Sequence, residues 1–183
     1  MIAVRIHGRG GQGAVTSSEL MALAAISEGK YAQAFPSFGP ERRGAPLQAY
    51  LRISDNPIFR REEVSFPSIV VVIDPALLAN PAVPVGLRPE GVMVVNTNLD
   101  FAAIKQTCGF QGRIAKVDAN LIAEQELGVT ITNTTMLGAL LKAAAPVKLE
   151  SLRGPIENRF GAMAEKNMKA LMRAFEETQI LEP

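Results

Sequence analysis

Four glycines within six positions near the amino end form the pattern with the clearest chemical meaning. Gly8, Gly10 and Gly13 meet the G-x-G-x-x-G spacing of dinucleotide-binding folds, and Gly11 lies between them. An apolar run at residues 2–7 precedes them and a helical pattern follows. In that order of elements a ligand can approach the backbone closely, and the N–H groups of the helix end point toward an anion. A tight strand-to-helix turn without a ligand fits the same spacing.

Arg42 and Arg43 form a second candidate site, in a loop rich in glycine and proline at residues 36–46. Two guanidinium groups side by side can bind phosphate oxygens in a bidentate manner. If the first two strands end at the same edge of a sheet, this pair and the glycine segment flank one phosphate-bearing ligand. A solvated charge cluster, or a salt bridge to another chain, is an equally good interpretation of the pair.

Residues for catalysis are missing from the sequence. The chain has one histidine, His7, and one cysteine, Cys108, so it lacks a Ser-His-Asp set, a Cys–His pair and the four thiolates of an iron–sulfur cluster. Asp74 and Asn96 follow predicted strands, where capping of the next turn is the favoured role. We therefore predict no catalytic residue and no metal ligand in this chain.

Plain NAD binding is disfavoured for a specific reason. Dinucleotide folds place an acidic residue about 20 positions beyond the glycines to hold the ribose hydroxyls. Counting from Gly13 leads to Gln33, and residues 32–35 hold no carboxylate. The first acidic residue after them is Glu41, in the following loop.

Composition limits the class of protein further. The 183 residues are 48% hydrophobic and carry a net charge of +1, with 5% aromatic residues and no tryptophan. These values do not favour binding to nucleic acid or to an acidic membrane surface. No apolar stretch approaches the ~20 residues that span a bilayer. The amino end has no basic segment followed by an apolar one, so we expect no signal peptide and a cytoplasmic location.

The hydrophobic pattern alternates between strands and helices. Strands are predicted at residues 2–7, 30–35, 47–53, 69–73, 92–95 and 114–117. Helices are predicted at residues 14–27, 120–127, 133–145 (capped by Thr132 or Asn133) and 159–177, with a helical turn at 149–153. This order predicts an α/β fold, a Rossmann-like doubly wound and mostly parallel sheet with helices on both faces and C-terminal helices. We expect a single domain, 1–183, with a sheet-forming part at 1–118 and a mainly helical part at 119–183.

Several segments together resemble the gamma subunit of 2-oxoacid:acceptor oxidoreductases of the pyruvate:ferredoxin type. The segments are HGRGGQGAVT at 7–16, GKYAQAFP at 29–36, FGPERRGAP at 38–46, Asp74-Pro75, and ITNTTMLG at 131–138. The resemblance covers nearly the whole chain. It implies a Rossmann-like chain that helps to bind coenzyme A and is inactive alone.

The resemblance also implies the rest of the enzyme. The complex oxidatively decarboxylates a 2-oxoacid to an acyl-CoA and passes electrons to ferredoxin or another acceptor. Thiamine diphosphate with Mg lies between alpha and beta subunits, and [4Fe-4S] clusters lie in beta or delta-type subunits. The 2-oxoacid itself stays open between pyruvate, another aliphatic acid and an aryl acid such as phenylglyoxylate.

Carried over by position, the resemblance assigns eight residues to coenzyme A contact. They are Gly8, Arg9, Gly10, Gly11, Gln12, Gly13, Arg42 and Arg43. Two alternatives stay open. One is a purely structural assembly subunit without ligand contacts, and the other is an independent nucleotide-binding oxidoreductase.

Overall fold

Seven strands form one mixed sheet in the computed structural model, which describes residues 1–37 and 44–183. The strands are β1 (Ile2–Arg9), β2 (Tyr31–Pro36), β3 (Pro46–Ser54), β4 (Ile69–Val72), β5 (Val92–Asn96), β6 (Arg113–Val117) and β7 (Gln179–Leu181). Their order across the sheet is β2-β3-β1-β4-β5-β6-β7. Arg42 and Arg43 lie outside the described residues.

The centre of the sheet is parallel and its two sides are antiparallel. Strands β1, β4, β5 and β6 pair in parallel, whereas β3 pairs antiparallel with both β1 and β2, and β7 pairs antiparallel with β6. Since β1 and β2 both oppose β3, they run in the same direction. Their carboxyl ends therefore lie at the same edge of the sheet, as the arrangement of the two candidate segments around one ligand requires.

Six α-helices accompany the sheet in the described ranges. They are α1 (Ala14–Ser27), α2 (Phe101–Cys108), α3 (Ala119–Leu127), α4 (Asn133–Ala144), α5 (Arg153–Phe160) and α6 (Ala164–Glu177). Short 3-10 helices occupy Pro75–Ala79, Leu149–Leu152 and Gly161–Met163. None of the helices in this part of the chain is long and apolar enough to cross a membrane.

The predicted helix at 159–177 is wrong in its first turn. The chain forms α5 and α6 instead, separated by the 3-10 helix that starts at Gly161. Gly161 adopts a positive φ of 51°, a conformation that ends a right-handed helix and that glycine adopts at little cost. Helix α2 and strand β7 were not predicted. Strand β7 adds a strand to the mainly helical part at 119–183.

Helices cover both faces of the sheet, which confirms the predicted α/β fold. On one face, helices α1, α4 and α6 pack onto the strands through Ile6, Val71, Val94, Leu20, Leu140 and Leu171. On the other face, Val70, Val72 and Met93 pack against Leu78 and Ile104. The strands at the centre are buried on both sides, which explains the continuous β-branched run of β4.

The second face turns polar where β1 meets β3. Arg5, His7 and Arg52 lie there almost fully buried. Arg5 Nε donates to His7 Nε2 at 3.0 Å, and Arg5 Nη2 donates to the Val83 and Val85 carbonyl oxygens at 3.0 and 2.5 Å. Burial, reinforced by the Arg5 charge, lowers the pKa of His7 to about 4. His7 is therefore a neutral imidazole at physiological pH.

Replacing Gly138 with alanine tests how closely α4 crosses α6. A Cβ at Gly138 would lie 2.0 Å from the Leu171 carbonyl oxygen and 3.0 Å from the Phe175 nitrogen. Because both atoms belong to the backbone, we expect Gly138→Ala to lower the free energy of unfolding by about 3 kcal/mol in urea denaturation. Gly154→Ala is the control, since Gly154 lies in α5 with nothing within 4 Å of its Cβ position. Equal stability of the two variants would contradict this packing.

Acid should weaken the fold through His7. The pKa of His7 is about 4 in the folded chain against 6.5 for a free imidazole. The unfolded chain therefore binds the extra proton first as the pH falls, and stability present above pH 6.5 is lost down to pH 4. Between pH 7.5 and 5 we expect the wild type to lose about 2 kcal/mol more than His7→Asn. Urea unfolding of both proteins at the two pH values measures the difference, and equal losses would contradict it.

Candidate functional site

The glycine loop, residues 8–13, connects β1 to α1 at the carboxyl edge of the sheet. Gly11 and Gly13 adopt positive φ angles of 96° and 81°, which favour glycine at these two positions. The Gly10 nitrogen donates to the Ala45 carbonyl oxygen at 3.0 Å, and the Gly44 nitrogen donates to the Gly10 carbonyl oxygen at 3.2 Å. The loop therefore lies beside the segment that leads into β3, and Gly44 directly follows Arg43 in the sequence.

Asp74, just after β4, fastens this loop to the centre of the sheet. Its Oδ2 accepts hydrogen bonds from Arg9 Nε and from Gln12 Nε2, each at 2.9 Å. Gln12 Oε1 in turn accepts from the Arg9 nitrogen at 2.7 Å. The three side chains form a closed network across a parallel pair of strands. The backbone of the loop is held in one conformation as a result.

Asp74 also caps the following 3-10 helix, as the sequence predicted. Its Oδ1 accepts from the Ala76 nitrogen at 2.8 Å. The contact with Arg9 and Gln12 was missed. The available signal was the position of Asp74 at the end of a predicted central strand, but the sequence does not show that β4 neighbours β1.

The predicted loop residues differ in whether their backbone N–H groups already make a hydrogen bond. The nitrogens of Arg9, Gly10 and Gln12 bond within the loop or to residue 45, and Gly8 belongs to β1, where it pairs with Leu47. The nitrogens of Gly11 and Gly13 make no hydrogen bond within the described ranges. The donors that stay open are therefore concentrated at the end of the loop, next to α1.

The amino end of α1 adds further open donors. Ser17 is the first residue whose nitrogen reaches a helix carbonyl, Gly13 O at 2.8 Å. The helix has no side-chain cap and no acidic residue in its first turn among the described residues. Three first-turn N–H groups and the positive end of the helix dipole therefore lie next to Gly13, the last residue of the loop.

Arg9 supplies a cation within the glycine loop. Its Nε binds Asp74, and its Nη1 donates to the Gly44 carbonyl oxygen at 3.2 Å. Its Nη2 makes no hydrogen bond to any described residue, and the side chain is 36% exposed. Arg9 thus has a structural contact at Nε and, at Nη2, two N–H groups that no described residue accepts.

The start of α4 meets the same loop. A Cβ on Gly13 would lie 2.7 Å from Asn133 Nδ2, so glycine is required here for close approach as well as for its φ angle. Ser17 Oγ donates to the Asn133 carbonyl oxygen at 3.3 Å, and Asn133 Oδ1 accepts from the Thr134 nitrogen at 2.9 Å. The N-cap residue is Thr132, whose side chain makes no capping hydrogen bond to the described residues, and Asn133 is the first residue of the helix. The contact of Asn133 with Gly13 was missed. Two helix amino ends therefore converge at Gly13.

Asn96 has a structural role, but the predicted capping of the turn that directly follows it is wrong. Its Nδ2 donates to the Ile73 carbonyl oxygen at 2.8 Å, and its Oδ1 accepts from the Ala119 nitrogen at 3.0 Å. It joins β4 to the start of α3. The described residues contain no group of three or more His, Cys, Asp or Glu side chains that could hold a metal ion.

Comparison with known proteins gives consistent relatives along the whole chain. Residues 3–177 match the family model described as pyruvate ferredoxin/flavodoxin oxidoreductase. A Pyrococcus abyssi protein named pyruvate/ketoisovalerate oxidoreductases common subunit gamma is 48% identical over 184 residues, which cover 100% of both chains. The crystal structure of pyruvate oxidoreductase subunit PORC from Thermotoga maritima matches with a TM-score of 0.90 and 43% identity, over 99% of this chain and 98% of that one.

A more distant structure shares the fold alone. It is a 2-oxoglutarate:ferredoxin oxidoreductase from Magnetococcus marinus with 2-oxoglutarate, coenzyme A and succinyl-CoA bound. The TM-score is 0.69 at 17% identity, over 96% of this chain and 30% of that chain. In that protein the same fold forms one part of a longer polypeptide.

The resemblance found in the glycine loop and the later motifs is thus confirmed by independent comparisons of sequence and of structure. These relatives match from end to end, and the mixed seven-stranded sheet is that of a solved family member. The chain belongs to the pyruvate ferredoxin/flavodoxin oxidoreductase family, and it is a gamma-type subunit of a multi-subunit pyruvate/2-oxoacid:ferredoxin oxidoreductase.

Proposed function

We propose that this subunit binds the phosphate groups of coenzyme A at the glycine loop and holds the cofactor for the reaction of the assembled enzyme. The observation that carries the proposal is the set of open N–H donors at Gly11, Gly13 and the first turn of α1. Backbone donors at a helix amino end are a common protein site for phosphate. A protein of the same fold, the Magnetococcus marinus enzyme, has coenzyme A bound.

Charge at the loop supports the same ligand. Arg9 offers Nη2 to an anion, while Asp74 is neutralised by its contact with Arg9 Nε. Arg42 and Arg43 precede Gly44, which bonds to Gly10. In the proposal these two guanidinium groups add positive charge to the same phosphates, each contact contributing roughly 1.5–3 kcal/mol.

The chemistry of the reaction belongs to other subunits in this proposal. Thiamine diphosphate with Mg, held between alpha and beta subunits, supplies the decarboxylation of the 2-oxoacid. Clusters of the [4Fe-4S] type in beta or delta-type subunits carry the electrons to ferredoxin or another acceptor. The names of the relatives favour pyruvate and branched aliphatic 2-oxoacids as substrates. The present chain binds and orients coenzyme A, which accepts the acyl group.

Exchange of both loop arginines tests the proposal directly. In the assembled enzyme we expect Arg42→Ala/Arg43→Ala to raise the KM for coenzyme A by about 100-fold, because two charged contacts are lost. Partial reduction of the enzyme by 2-oxoacid alone should survive, since that step does not use coenzyme A. Arg153→Ala/Arg159→Ala is the matched control, two exposed arginines of α5, and should leave the KM unchanged.

An unchanged KM in the fully assembled Arg42→Ala/Arg43→Ala enzyme would remove these residues from the site. It would favour the role of an assembly subunit without ligand contacts. Stoichiometric binding of NAD or NADP by the isolated chain would favour the independent oxidoreductase, and we expect none.

Asp74→Asn tests the network that positions the loop. The amide keeps an acceptor for the Ala76 nitrogen but loses the charge that holds Arg9 and Gln12. We expect the KM for coenzyme A to rise about tenfold with little change in kcat, since about 1.4 kcal/mol of positioning is lost. Asp118→Asn is the control, because Asp118 caps α3 by accepting from the Leu121 nitrogen at 3.0 Å and lies outside the loop. An equal KM in both variants would contradict the role given to Asp74.

A further inference from the structure

A cleft lies close to the glycine loop, on the face of the sheet opposite α1. Its volume is about 190 Å³, and its walls include His7, Gln48, Tyr50, Glu63, Leu77 and Asn80. Ile6 points into the core beneath α1, and side chains alternate along a strand, so His7 points to the other face. His7 directly precedes Gly8, and Gln48 lies opposite His7 in the β1–β3 register. We call this cavity the His7 cleft.

His7 presents a fixed, uncharged donor to this cleft. A guanidinium group can only donate hydrogen bonds, so His7 Nε2, which contacts Arg5 Nε at 3.0 Å, must be the acceptor. The single proton of the neutral imidazole is therefore on Nδ1. That atom has no hydrogen-bond partner among the described residues, although the histidine is only 4% exposed.

Two neighbouring amides offer donors of the same kind. Gln48 Oε1 accepts from the Tyr50 hydroxyl at 3.0 Å, and Asn80 Oδ1 accepts from the Ala82 nitrogen at 3.0 Å. Both oxygens are used, and both NH₂ groups are without a partner in the described part of the chain. Three neutral N–H donors thus line one small cavity.

Glu63 decides which class of ligand fits these donors. Burial is the largest cause that raises the pKa of the Tyr50 phenol to about 12, and the nearby Glu63 carboxylate raises it further. A negative charge in the wall disfavours an anion in the cleft, while it can accept a hydrogen bond from an N–H group. Carbonyl oxygens that accept from these donors and an N–H that faces the carboxylate together describe uncharged amide groups.

We propose that the His7 cleft binds the amide-bearing pantetheine arm of the coenzyme A molecule whose phosphates lie at the glycine loop. The inference rests on the function proposed above. Pro46, in the cleft wall, pairs with Arg9 of the loop, so a single ligand can reach both places. The loop selects the charged end of the ligand, and the cleft selects its neutral arm.

Two variants of His7 test the Nδ1 donor separately from the buried contact between Nε2 and Arg5. In His7→Gln the side-chain oxygen can replace Nε2 as the acceptor for Arg5, and the cleft donor is lost. In His7→Asn the amide NH₂ can replace the Nδ1 donor. In the assembled enzyme we expect His7→Gln to raise the KM for coenzyme A about tenfold, and His7→Asn to stay within about threefold of the wild type.

A ligand without the pantetheine arm distinguishes this inference from the proposed function. Adenosine 3′,5′-bisphosphate carries the charged end alone, and we expect it to compete with coenzyme A with the same inhibition constant in the wild type and in His7→Gln. If it fails to compete in the wild type, the phosphate site at the loop is wrong, and this inference falls with it. If it competes and the KM of folded His7→Gln is unchanged, only the cleft is wrong.

A variant at Asn80 tests the cleft independently of whether the His7 variants fold. Asn80→Asp keeps the oxygen that binds the Ala82 nitrogen and removes the NH₂ donor at the rim of the cleft. We expect the same selective rise in KM for coenzyme A with unchanged inhibition by the bisphosphate. An equal weakening of both ligands, or of neither, would overturn the assignment.

Discussion

The contact of Asp74 with Arg9 and Gln12 determines the geometry of the whole carboxyl edge. A single carboxylate oxygen receives both side chains at 2.9 Å and joins the end of β4 to the loop after β1. Because the carboxylate is largely buried and paired, breaking the contact would leave a charge poorly solvated. The loop is therefore fixed before any ligand arrives, and a preformed loop loses less conformational entropy when it binds.

The same edge carries the groups that would bind an anion in the proposed function. The amino ends of α1 and α4 converge at Gly13, where the nitrogen of Gly13 and the first turn of α1 are without partners in the described ranges. A helix end offers directed donors and partial positive charge, but it offers no nucleophile and no titratable acid or base. In the proposed function, other chains of the complex supply the redox chemistry.

The face of the sheet opposite α1 differs from the glycine loop in that its polar side chains are buried. Arg5 lies among carbonyl oxygens of Val64, Val83 and Val85. Burial, reinforced by the Arg5 charge, lowers the pKa of His7 and keeps it neutral. The loop side of the edge thus favours negative charge, and the His7 side favours uncharged polar groups. The two environments lie within one or two residues of each other on β1, since neighbouring residues of a strand face opposite sides of a sheet.

The sequence by itself determined the elements whose signals are local. The glycine spacing, helix α1 at Ala14–Ser27 and the buried run of β4 were predicted from adjacent residues, because turn conformation and hydrophobic period are properties of short segments. Tertiary structure alone decided that β3 lies between β2 and β1, that β7 closes the sheet, and that Asp74 and Asn133 reach the glycine loop. Arg9 and Asp74 are 65 positions apart, and their contact exists only because β4 packs beside β1. That strand order depends on how the whole sheet is buried by its helices.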